Sequence, residues 1–171
     1  MPELARSNQP IGEELSRYAQ LFDRVLTHEE DFMRRVRDYV RGRKGKMMRP
    51  ILVLLLAKEL GEIGEPTLRA AVALELLHTS SLIHDDVVDE SEERRGKASV
   101  RKVYDNKVAV LLGDYMLAQT LRQSALTGHI GIVDAVAGLG GTLAEGEILQ
   151  LSHVEQESFS EETYFSIIHR K

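Results

Sequence analysis

The sequence predicts an all-α protein, and three observations predict it. Apolar residues recur at threes and fours along most of the chain. Glycine-bearing breaks at 42–46, 61–64 and 128 separate those runs. No segment alternates convincingly as a strand. At 171 residues and 43% hydrophobic, the chain has the length of one domain and enough apolar side chains for a substantial core. There is no internal repeat or sustained heptad seam, which excludes a solenoid or a simple coiled coil.

The first two helices are expected over Ile11 to Leu26 and Glu29 to Arg41. Their apolar faces are Leu15, Tyr18, Leu21, Phe22 and Val25, then Phe32, Val36, Tyr39 and Val40. Gly42-Arg43-Lys44-Gly45-Lys46 interrupts the pattern as a basic, glycine-rich loop. Met48 to Leu60 is apolar nearly all round and so predicts a central buried helix, with Pro50 tolerated near its start. Pro66 opens a long Ala- and Leu-rich helix running to about Asp89, roughly 36 Å at ~1.5 Å per residue. Ser91 to Val103 is charged and contains Gly96, so a mostly irregular loop is expected. Helices resume at about Asn106 to Leu126 and at Ile130 to Leu151. A last short helix starts near Ser160, with Glu161 and Glu162 in its first turn.

Composition excludes several functions. Cysteine is absent, so a disulfide framework and a Cys-ligated zinc site are excluded. The longest uninterrupted apolar stretch, Ile51 to Ala57, is seven residues, against ~20 for a bilayer span. No secretory signal is visible in Met1 to Gln9, and a soluble, cytoplasmic protein is expected. The net charge of −5 disfavours a general nucleic-acid binder. The charge is nevertheless uneven: eight basic residues lie between Arg34 and Arg49, against the single acid Asp38.

The chemistry concentrates at the end of the long helix, in Leu77 to Asp89. Asp85 and Asp89 are four apart, so their carboxylates share a face and repel each other. A helix C-terminus makes this worse, because its dipole prefers cations. A hard cation such as Mg²⁺ would relieve both costs and keep positions open for phosphate oxygens. His78 is two turns below Asp85 on the same face, and Arg94 and Arg95 follow the acids, suited to bidentate phosphate recognition. On residues alone, the same segment is equally a solvated helix end whose acids the arginines neutralise. A calcium EF-hand loop fails on the identities of Val87 and Glu90, and a phosphate loop at 42–46 fails because Met47 replaces the required Ser or Thr.

Five segments in series resemble the trans-prenyl (polyprenyl) diphosphate synthase family, and its medium- and long-chain bacterial members most of all. They are Gly45-Lys46-Met47-Met48-Arg49-Pro50, Glu75-Leu76-Leu77-His78-Thr79, Asp85-Asp86-Val87-Val88-Asp89 with Arg94-Arg95-Gly96-Lys97, Leu112-Gly113-Asp114-Tyr115, and Ala144 to Gln150. The resemblance implies an isoprenoid-synthase-type helical bundle around a central cavity, with 1–171 the N-terminal portion of one domain and the C-terminal helices missing. It implies that Asp85 and Asp89 ligate Mg²⁺ on an allylic diphosphate, which Arg94 also contacts. Lys46, Arg49, His78 and Arg95 would hold the diphosphate of isopentenyl diphosphate. Lys171 falls where the family has a Lys-Thr pair whose lysine contacts the allylic diphosphate, but the threonine is absent.

The implied reaction is metal-assisted ionisation of the allylic substrate and condensation with isopentenyl diphosphate, in a homodimer. Ser80 and Ser81, one turn before Asp85, are small where short-chain members place an aromatic floor. They point to a product longer than farnesyl (>C15). The family's second aspartate-rich motif is absent from 1–171, so the chain alone is expected to be inactive or nearly so, and to expose apolar surface that favours self-association. A terpene cyclase and a non-catalytic regulatory subunit are the alternatives. The Lys46 to Arg49 segment argues against the first and the intact acids against the second.

Overall fold

In a computed structural model that describes residues 9–42, 47–156 and 160–171, helices form where the apolar spacing predicts them. After a 3-10 turn at Gln9–Ile11 come α1 (Gly12–Val25), α2 (Asp31–Arg41), α3 (Met48–Leu60) and α4 (Glu65–Val88). A hairpin of β1 (Glu93–Arg94) and β2 (Lys97–Ala98) leads into α5 (Val100–Tyr104) and α6 (Asn106–Ala125). The described chain closes with α7 (Ile130–Glu155) and α8 (Glu161–Arg170). No helix among the described residues is long and apolar enough to cross a membrane.

The helix α4 is the axis of the packing, in contact with α1, α3, α5, α6 and α7. Its run of 24 residues has no internal glycine, and its one proline sits at the N-terminus, where the missing N–H has no intrahelical partner to lose. Leu68, Ala71, Val72, Leu76 and Ile83 of α4 are buried with Ala109, Leu112 and Met116 of α6 and with Tyr18, Leu21 and Phe22 of α1. Each large side chain buried here stabilises the fold by about 1.5–3 kcal/mol.

Two expectations are corrected. The helix α3 is not buried all round. Met48, Leu52, Leu56 and Leu60, spaced by four, are exposed at 53%, 58%, 56% and 87%, while Ile51 and Leu54 face the core. Among the described residues α3 packs on α1, α4 and the 3-10 turn, which cover one side of it. The segment after the acids is also not simply irregular. Glu93 pairs with Ala98 and Arg94 with Lys97, antiparallel. The connecting Arg95 and Gly96 have φ of 56° and 74°, the double positive φ of a type I′ hairpin turn.

Polar side chains cap the starts of α5, α6 and α8. The Ser99 hydroxyl accepts from the Lys102 amide, the Asp105 carboxylate from the Val108 amide and the Ser160 hydroxyl from the Thr163 amide. At the far end, α8 lies against α7. A Cβ on Gly146 would stand 2.9 Å from the Arg170 Cβ and 3.1 Å from the Lys171 Cγ, so only glycine admits this approach unaltered.

Candidate active site

The last turn of α4 sets the acids. Asp85 lies within the helix and Asp89 caps it, with the Asp89 amide donating to the Asp85 carbonyl at 2.8 Å. No basic residue occupies this turn. Asp85 is half-buried and Asp89 exposed. Burial pushes the Asp85 carboxyl above its usual range, and the charges of Glu147 and Asp89 push the same way, against the opposing pull of Lys171 and Arg94. Glu147, on α7, therefore faces the acids from across the fold. It is ion-paired with Lys171, whose ammonium also donates to the Gln150 side chain at 2.8 Å.

The cations gather in a cleft that runs along α4 below the acids. His78, Arg94 and Arg95 line one cleft together with Met47, Glu75 and Asp86, and Tyr18, Phe22, Leu26 and Ile83 supply apolar wall. Burial pulls His78 down to about 4, helped by the charges of Arg49, Arg95 and Arg94. The free imidazole is thus neutral at neutral pH, and an imidazolium at this position requires an anion beside it. Arg49 is exposed in the first turn of α3, close enough for its charge to act on His78. Lys46 lies outside the described residues.

Arg94 stands between the two groups, since its charge acts on both His78 and Asp85. Its position is fixed by a residue the sequence reading passed over. The Nε of Arg94 donates to the Asp86 carboxylate at 2.6 Å, and Asp86 is 2% exposed. The hairpin is also tied to α2 and the residue after it: the Tyr39 hydroxyl donates to the Ala98 carbonyl at 2.6 Å and the Lys97 ammonium to the Gly42 carbonyl at 2.7 Å.

The two serines separate. Ser80 is buried and its hydroxyl donates to the Gly113 carbonyl of α6 at 2.8 Å, whereas Ser81 is half-buried and bonds only its own helix, at the His78 carbonyl. His84 turns away from the acids onto α6, with Nε2 3.2 Å from the Val110 carbonyl and 3.3 Å from Asp114. Asp114 is thereby a paired acid, as its place in an apolar helix implies.

A divalent cation fits the acid side. Like charges converge there at a helix C-terminus that prefers positive charge, and one carboxylate is held partly out of water. Among the described residues, no three His, Cys, Asp or Glu side chains are close enough to form a cation site on their own. Such a site suits a divalent ion that takes one or two carboxylates and completes its shell with other oxygen ligands.

A family model described as polyprenyl synthetase matches residues 30–171. The octaprenyl diphosphate synthase of Escherichia coli (strain K12) is 35% identical over 133 residues, covering 78% of the chain and 41% of the relative. The solved structure of a decaprenyl diphosphate synthase from Rhodobacter capsulatus superposes with a TM-score of 0.90 at 32% identity, over 98% of the chain and 52% of its own. A polyprenyl synthase from Caulobacter crescentus CB15, solved with calcium and isoprenyl diphosphate, gives a TM-score of 0.91 at 26% identity, over 98% and 51%. The chain spans about half the length of these relatives.

Proposed function

Because the chain belongs to the polyprenyl synthetase family, we propose that the whole protein condenses isopentenyl diphosphate with an allylic diphosphate to make a prenyl chain longer than farnesyl. The observation that supports this most is the arrangement of charge along α4: the acids of its last turn, the cleft lined by His78, Arg94 and Arg95 below them, and Arg94 acting on both.

In this reading Asp85 and Asp89 hold Mg²⁺, with Glu147 and Lys171 facing them. The ion, when bound, neutralises the charge that develops on departing pyrophosphate. Arg94 and Lys171 bind the same diphosphate. Arg49, His78 and Arg95, with Lys46, bind the diphosphate of isopentenyl diphosphate. The His78 imidazole gains a proton there as the anion offsets the arginine charges around it. The apolar wall of Tyr18, Phe22 and Ile83 keeps water from the carbon skeleton, where an allylic cation would be hydrolysed. Small Ser81 leaves room for the growing chain. The protein works as a cytoplasmic homodimer.

The test is to incubate the full-length protein with Mg²⁺, farnesyl diphosphate and isopentenyl diphosphate, following pyrophosphate and prenyl chain length. Elongation beyond farnesyl is expected; its absence, with no pyrophosphate released, defeats the proposal. Ser81→Phe should shorten the product. Ser80→Phe should instead disturb the α4–α6 contact and lower stability by about 1–3 kcal/mol, because Ser80 is packed against the Gly113 backbone.

A further inference from the structure

We propose that Asp86 is a positioning residue that holds Arg94 between the two diphosphate sites, and that its job differs from that of its neighbours Asp85 and Asp89. This deepens the synthase reading and rests on it. The three aspartates share a short segment, but helix geometry turns them apart. Asp85 and Asp89, four apart, lie on one face, whereas Asp86 is rotated by about 100° from Asp85. That rotation carries Asp86 out of water, to 2% exposure, and into the cleft wall.

A carboxylate in that position needs a partner, since an unpaired buried charge is heavily penalised. Arg94 supplies it, through Nε alone. The Arg94 side chain remains 30% exposed, and its two terminal nitrogens make no hydrogen bond to the described residues. The bond thus fixes the base of the guanidinium and leaves its outer edge for an anion.

The fixation extends to the turn. The Ser91 amide donates to the Asp86 carbonyl at 3.0 Å, so Asp86 holds both the start of the connection and Arg94 within the hairpin. Arg95 follows at positive φ, a conformation unfavourable for a non-glycine residue that persists where surrounding contacts enforce it. Tyr39 and Lys97 pin the hairpin from the side of α2 and Gly42. Asp86 is the pin on the α4 side. Removing its side chain leaves the Ser91 bond to its carbonyl in place but frees Arg94, and with it loosens the arginine next to it.

The proposal separates from a metal-ligand role for Asp86 by its response to metal. The probe is farnesyl diphosphate, the allylic ligand assigned to Arg94, titrated into the full-length protein in EDTA and then again in Mg²⁺. Asp86→Ala should weaken binding in EDTA about tenfold or more. Asp86→Asn keeps an oxygen to accept from Nε and should retain most of the affinity. Asp85→Ala should not weaken EDTA binding, since without the ion its carboxylate only repels the diphosphate, and should weaken binding in Mg²⁺. In parallel, the Arg94 Nε–H resonance should be slow to exchange in the parent and in Asp86→Asn, and lost in Asp86→Ala. Parent-like EDTA affinity in Asp86→Ala overturns the proposal, as does an Arg94 signal that survives the truncation. A raised Mg²⁺ requirement in Asp86→Asn with unchanged EDTA binding overturns it in favour of a ligand role. Failure of the parent itself to bind the probe while the Arg94 resonance behaves as expected defeats the synthase reading and leaves the Asp86–Arg94 brace standing.

Discussion

His78 sits where a half-buried ring meets three guanidinium groups, and its titration reports on whatever shares the cleft. Burial first, then Arg49, Arg95 and Arg94, hold it near 4, below its ordinary 6.5. The sign follows. With the folded value depressed, the unfolded state takes up the proton first. His78 therefore contributes stability that is full above about 6.5 and declines as pH falls through that value toward 4. The expected result is that His78→Gln flattens the acid limb of stability over that window, measured by urea unfolding at several pH values. A bound diphosphate reverses the local field. Its addition should move the ring's NMR midpoint upward from about 4; an unmoved midpoint would place the anion elsewhere. The sequence identified the residue and its face. It could not give the protonation state, because that depends on Arg94 and Arg95 arriving from a hairpin and Arg49 from α3.

At the level of the elements, α4 and α6 approach where Gly113 has no side chain. A Cβ there would lie 2.2 Å from His84 Nε2, a distance no neighbour can accept without moving. Gly113→Ala gains about 1 kcal/mol of helix propensity yet forces the ring off the Val110 carbonyl. The net expectation is a loss of about 1–2 kcal/mol by thermal or denaturant unfolding. In a His84→Ala background the same substitution should become neutral or stabilising, which tests the contact directly. The helices themselves were legible because propensity and period agree along them; α4, expected from Pro66 to about Asp89, runs Glu65–Val88. The hairpin was not, because strands of two residues are too short to alternate. Its signal was Arg95-Gly96, where a glycine follows a residue forced to positive φ. Asp86 escaped notice for a related reason. Its partner is eight residues away across a turn, at no helical or strand spacing.

The whole molecule presents apolar surface, as expected, and part of it lies on α3, where the sequence led one to expect burial. Met48, Leu52, Leu56 and Leu60 form one exposed stripe along α3, and Leu111 on α6 and Ile148 on α7 are each 67% exposed. Hydrophobicity fixed that α3 forms and that one side is buried. It could not show which neighbours would cover the other side, since burial belongs to the assembly of elements. The 171-residue chain is accordingly expected to self-associate. Light scattering should give a mass that falls toward 19.2 kDa when Leu52→Glu and Leu56→Glu are combined. Retention of the larger mass would clear α3 of responsibility.

The fit of His84 against Gly113 also has a consequence in the history of the sequence. Two positions that occupy one another's space cannot drift independently, since any side chain at 113 displaces the ring at 84. Among descendants of a common ancestor, enlargement at the first should be accompanied by loss of the imidazole at the second. The intermediate that changes only position 113 would be the poorly tolerated step, leaving an order of substitution as well as a correlation.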